Sequence, residues 1–197
     1  MTYEELDANA YFSSPVPRVR VARSPPSGRA TVAAVASNPS LDVVLTALDG
    51  ESRPLEEWLT TFNLACVVLD PYTNESSWIL KTAARILDGF RGADVRVNFV
   101  ITCGVDDAKT FLGPLADEFL VYVDPDRAFV KSLGLTALPA FVFVSMDGQV
   151  AAAAEGWDGA AWRKVAATIA KATAWSSPTI PVAGDPVPFS GTAALAN

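Results

Sequence analysis

The chain has 197 residues, 50% of them hydrophobic and 19% charged, which is the composition of a globular domain. A net charge of −7 repels phosphate backbones, so nucleic acid is not an expected partner. Histidine is absent, which excludes Ser-His-Asp and Cys-His catalysis and every histidine-based metal site, and two distant cysteines cannot supply a four-ligand zinc site.

The opening MTYEELDANAYF carries three acids and no apolar stretch of signal-peptide type, so a secretory leader is not expected there. With only two cysteines, a reducing cytoplasmic location is the simplest expectation. No apolar run approaches the ~18–20 residues that span a bilayer, so no membrane insertion is expected. Residues 13–30 hold four prolines and the bases Arg18, Arg20, Arg23 and Arg29; residues 1–30 read as an extended, solvated arm. Residues 176–197 contain another four prolines and read the same way, as a Pro-rich tail. The domain is expected between them, over residues 31–175.

Within it, strand and helix signals alternate, the pattern of an α/β layer structure. Ala30–Ala36 and Leu41–Leu48 are β-type runs, and Asp49-Gly50 marks a turn. Pro54 opens a short helix through Leu55, Trp58 and Leu59. The continuous apolar run Leu64–Leu69 predicts a strand buried on both faces. A helix follows over 75–90, with Ile79, Ala83, Ile86, Leu87 and Phe90 on one stripe and Asn74 as its cap. Val95–Thr102 is the next strand. Asp106–Phe119 is a helix that Gly113-Pro114 must kink or split, since proline removes a hydrogen bond and clashes with the preceding turn. Leu120–Val123 is a strand, and Asp126–Leu133 is a helix stopped by Gly134. Phe141–Ser145 and Gln149–Ala154 form a strand pair around Asp147-Gly148. Asp158 caps a last helix with Trp162, Val165, Ile169 and Thr173 along one face.

That order resembles the thioredoxin superfamily, in its redoxin branch of thiol-disulfide reductases and peroxiredoxins. Three stretches carry the likeness: LDVVLTALDGESRPL (residues 41–55), the pair of βα units Leu64–Phe90 and Val95–Phe119, and VDPDRAFVKSLGLTALPAFVFVSMDGQV (residues 123–150). The likeness covers residues 41–173 and implies a thioredoxin-like fold, a central mixed sheet flanked by helices. It also implies that Pro139 stands where the family has a cis-proline.

Redox members carry a cysteine in the loop after the first βα strand, where a helix N-terminus stabilises the thiolate. Here that loop is Asp70-Pro71-Tyr72-Thr73-Asn74-Glu75-Ser76-Ser77, and Thr73-Asn74-Glu75-Ser76 places hydroxyls where the family has thiols. A serine alcohol without an adjacent base does not attack disulfides or peroxides at neutral pH. Cys66 falls inside the buried strand, where a thiol is inert. Cys103 falls at the C-terminal end of the neighbouring strand, the edge where open α/β sheets place their sites, and is the one thiol left for an atypical redox enzyme. The two are out of step along their strands, so no disulfide is expected. Trp78 and Trp157 read as core residues, and Asp70 with Glu75 as a solvated helix start.

The resemblance therefore implies a non-catalytic module that keeps the groove between the cis-proline loop and the first helix. Such a groove binds extended peptide as a strand added to an edge. Its candidate contacts are Tyr72, Thr73, Asn74, Ser76, Ala137, Leu138 and Pro139. A protein partner is expected, in an accessory, chaperone or subunit role, with oligomerisation through the arms as one route. No cofactor and no metal are expected. The alternative is a thiol-disulfide oxidoreductase or peroxiredoxin-like enzyme using Cys103.

Overall fold

The computed structural model describes residues 36–195; the arm at residues 1–30 and the expected strand Ala30–Ala36, except for Ala36 itself, lie outside them. The chain enters through β1 (Val44–Ala47), β2 (Ser52–Pro54) and the one-turn α1 (Leu55–Trp58). The βα units follow: β3 (Asn63–Leu69), α2 (Asn74–Asp88), β4 (Val95–Ile101), α3 (Val105–Leu112), α4 (Leu115–Glu118) and β5 (Leu120–Val123). The C-terminal half holds α5 (Ala128–Ser132), β6 (Ala137–Leu138), β7 (Ala140–Val144), β8 (Val150–Glu155), α6 (Gly159–Ala172) and β9 (Thr192–Ala193).

Seven strands form one mixed sheet in the order β2-β1-β5-β4-β3-β7-β8. β3, β4 and β5 run parallel, and β1, β2, β7 and β8 join antiparallel. β3 lies inside the sheet and is buried on both faces, which is why its sequence is unbroken apolar. Its side chains alternate: Leu64, Cys66 and Val68 pack with α1 and α5, and Ala65, Val67 and Leu69 pack with α2, α3 and α6. On α2 the stripe Ile79, Ala83, Ile86 and Leu87 is fully buried. Each large aliphatic side chain there contributes about 1.5–3 kcal/mol.

The expected strand over 41–48 begins only at Val44, because the chain turns at Leu41-Asp42 before joining β5. Gly113-Pro114 splits the helix as its chemistry requires, with Gly113 at φ +55° between α3 and α4. The Leu138-Pro139 peptide is cis, as the resemblance implies, and Ile180-Pro181 is cis as well.

The Pro-rich C-terminal segment is extended as expected, but it is docked on the domain along its length. Arg85 Nη1 donates to the Thr179 carbonyl at 2.9 Å, and Arg163 Nε donates to that of Ile180 at 2.6 Å. Ile180 is only 2% exposed. Asp185 accepts from Thr82 Oγ1 at 2.8 Å and forms an ion pair with Arg85 at 2.9 Å. The segment ends as β9, paired antiparallel with β6.

Candidate functional site

The parallel strands β3 and β4 end together at Leu69 and Ile101, and the loop after β3 leads into the N-terminus of α2. β7 runs antiparallel beside β3 with Ala140 opposite Val68, so the cis Leu138-Pro139 bond sits at the same edge as Asp70. Topology alone brings the 70–76 loop and the 136–139 loop together.

Ser76 is fully buried in the first turn of α2, and its Oγ accepts the Asp70 backbone N–H at 2.9 Å. Thr73, not Asn74, occupies the cap position; Asn74 is the first helical residue and faces solvent. The Thr73 side chain makes no cap bond, because its Oγ1 turns back to the Asp70 carbonyl at 3.0 Å and to Ser76 Oγ at 3.1 Å. Both hydroxyls are thus absorbed in holding the loop. Tyr72 is 69% exposed and leans toward α3, where its hydroxyl donates to Asp107 Oδ2 at 2.5 Å. That bond pushes the Tyr72 phenol up to about 12.

Asp70 is not part of a solvated helix start. It is 6% exposed, and its Oδ2 accepts from Arg127 Nη2 at 2.7 Å. Arg127 precedes α5 in the left-handed region at φ 54°, which turns its guanidinium toward the β3 edge. Its second nitrogen, Nη1, donates to the Ala194 carbonyl at 2.6 Å. Glu155 holds the other wall, accepting from the Ala137 N–H at 2.9 Å and from the Thr136 N–H at 3.2 Å. Neither Arg127 nor Glu155 is visible in a sequence pattern, since each acts on a partner distant in the chain.

Both sulfurs are buried. Cys66 is fully buried, and burial pushes its thiol up to about 12. Cys103 is 3% exposed, and its Sγ donates to the Gly104 carbonyl at 3.3 Å. Burial, with the nearby Asp107 and Asp70 carboxylates, pushes it up to about 11. The two are free and lie at different levels, since Cys66 is in register with Asn98 and not with the end of β4.

The expected groove residues are joined by the chain's own C-terminus. Leu138 pairs with Thr192 and Ala137 with Ala193, and the Ala194 N–H donates to Thr136 O at 2.9 Å. Upstream, Phe189 exchanges backbone hydrogen bonds of 2.8 and 2.9 Å with Trp157. The Phe189 ring meets the edge of Trp78 at 5.8 Å. Trp157 is core, as read from sequence, but Trp78 is not: it is 57% exposed on α2 beside this segment. The segment therefore touches both walls of the groove, α2 on one side and β6 on the other.

A depression of about 480 Å³ lies away from this edge among Glu51, Arg53, Trp58 and Arg96. Its charges are mixed and internally paired, Arg53 with Glu51, and Arg53 and Arg96 both stack near Trp58. It presents no convergent catalytic set.

Solved structures that resemble this chain include a thiol:disulfide interchange protein, a peroxiredoxin and a disulfide oxidoreductase. A putative thiol:disulfide interchange protein DsbE from Chlorobium tepidum matches with TM-score 0.58 at 17% identity, over 70% of this chain and 97% of that one. Peroxiredoxin Q of Xanthomonas campestris matches with TM-score 0.56 at 18% identity, over 67% and 92%. A secreted Mycobacterium tuberculosis disulfide oxidoreductase homologous to E. coli DsbE matches with TM-score 0.53 at 16% identity, over 66% and 96%. The fold is thioredoxin-like. No family profile matches the sequence, and no curated protein does. Among the described residues, no helix of this thioredoxin-like domain is long and apolar enough to cross a membrane.

Proposed function

We propose that this chain is a non-catalytic thioredoxin-like protein that binds an extended segment of a partner protein, as an accessory factor, chaperone or complex subunit. The observation that supports this reading is Ser76. The buried hydroxyl stands in the first turn of α2, where the family has a thiol, and it is committed to the Asp70 backbone. An alcohol with no base beside it carries no electrons to a disulfide or a peroxide. Cys103 does not replace it, because a buried thiol raised to about 11 has roughly a thousandth of its population ionised at pH 8. What the site keeps is a pairing edge at Ala137 and Leu138 beside a cis-proline, the kind of edge that takes an added strand. Two unpaired buried cysteines suit the reducing cytoplasm.

The test has two arms. The purified chain is expected to turn over neither insulin disulfides nor peroxide, with Cys103→Ser indistinguishable from the native chain. Affinity capture from the native cell is expected to recover one stoichiometric protein partner, lost when Asn74→Arg places a bulky charge on the α2 wall. Thiol-dependent turnover that disappears in Cys103→Ser reverses the reading.

A further inference from the structure

The C-terminal segment divides at Asp185. Before it, the chain is fastened by buried Ile180, the Arg85 and Arg163 side chains and the Asp185 ion pair. After it, Pro186–Ala194 crosses the groove on few contacts: one backbone bridge at Trp157, one aromatic edge at Trp78, the Trp157 Nε1 bond to Pro186 O at 2.8 Å, the Arg127 bond, a two-residue ladder, the Ala194 N–H bond to Thr136 O at 2.9 Å and the Thr192 hydroxyl bond to Leu138 O at 3.3 Å. A ladder that short has little stability of its own. The stretch 186–195 has no charged side chain, so it lies against an acidic body without charge repulsion.

The fit is nonetheless built. Gly191 sits at φ +83°, and a Cβ there would lie 2.5 Å from the Leu138 carbonyl oxygen. Across the seam Gly156, at φ +65°, would drive a Cβ to 2.6 Å from the Phe189 carbonyl oxygen. Backbone therefore approaches backbone with no room for a side chain on either strand at these points. Ala194 is fully buried beyond them.

Resting on the binding role proposed above, we infer that Pro186–Ala194 is an internal occupant of the partner groove. The partner is an extended chain segment with the same chemistry: an aromatic side chain for Trp78, glycine two residues later, then small residues. It binds by displacing this segment. The tether at Asp185 keeps the internal strand at a high effective concentration, so only a segment that pairs better, or one presented locally, replaces it.

The full-length chain tests this. Gly191→Val is expected to expel the strand, with amide exchange at Trp157 and Ala194 at least 100-fold faster than in the native chain. A dye-labelled synthetic peptide, PVPFSGTAALAN, is then expected to bind the Gly191→Val chain at least tenfold more tightly than the native chain, because the groove no longer has to be vacated first. Phe189→Ser, which leaves the Leu138 contact intact, acts in the same direction with a smaller gain and stands in if Gly191→Val fails to fold. Unchanged protection at Trp157 and Ala194, or equal peptide affinity for native and variant chains, overturns the inference. A captured partner that binds native and variant chains equally also overturns it while leaving the binding role standing. Peptide exchange with no captured cellular partner sinks the binding role and, with it, the partner named here.

Discussion

Arg127 donates one guanidinium nitrogen to the Asp70 carboxylate at 2.7 Å and the other to the Ala194 carbonyl at 2.6 Å, with the side chains 14% and 8% exposed in the ion pair. Taking one member away strands the other charge out of water, which costs about 3–5 kcal/mol where both are buried. Arg127→Leu is therefore expected to cost about 3 kcal/mol, read as a fall of more than about 1 M in the urea midpoint at an m of roughly 1–3 kcal/mol/M. The double variant Asp70→Leu/Arg127→Leu is expected to recover part of that loss. An equal loss in the double variant would show that packing, not charge, carries the effect. The place of Ser76 after the first βα strand was legible because the family's motif is fixed there, but expected as a groove contact it is instead fully buried and held by the Asp70 backbone. The burial of Asp70 is not legible in the sequence, because its partner Arg127 stands in another helix's approach and a single sequence does not pair distant charges. The exposure of Trp78 is likewise hidden, because average burial of tryptophan says nothing about which α2 face it occupies.

The elements that sequence disclosed well are those with a period or a continuous apolar run. β3 is unbroken apolar, α2 and α6 repeat at three and four, and the Gly113-Pro114 split follows from ring geometry. The C-terminal segment has no period, and its prolines say only that it is extended. It docks through backbone groups and small residues, which leave no sidedness to read. Its anchor gives a pH prediction. Desolvation pushes the Asp185 carboxyl up, but the Val182 N–H, the Thr82 hydroxyl and Arg85 outweigh it and hold the group below the ordinary aspartate range. A depressed folded pKa stabilises the docked form above the unfolded value of about 3.9, and that contribution is lost as pH falls through the folded value. The protection of the Val182 and Ile180 amides, exchange being taken relative to the intrinsic rate at each pH, should therefore fall more between pH 6 and pH 3 in the native chain than in Asp185→Asn, which lacks the titrating group. Matching pH profiles for the two chains would remove Asp185 as the anchor.

At the scale of the molecule, alternating strands and helices were enough to expect an α/β layer structure, the resemblance to the redoxins implied a central mixed sheet, and seven strands deliver it. What composition left open was how much of the chain belongs to the cooperative unit. Ile180, only 2% exposed, joins the cluster that includes α2 and α6, so the anchored part of the C-terminal segment completes that layer. Ile180→Ala should cost about 2–5 kcal/mol and shift one whole unfolding transition. A separate early transition, with the main midpoint unmoved, would place the segment outside the unit. The two-residue pairing of β6 with β9 also bears on trafficking in a crowded cell. A bare β edge recruits whatever stretched polypeptide drifts past, including nascent chains and other copies of itself. By keeping its own resident strand there, the protein turns promiscuous stickiness into a contest, and selectivity follows from having to beat the incumbent.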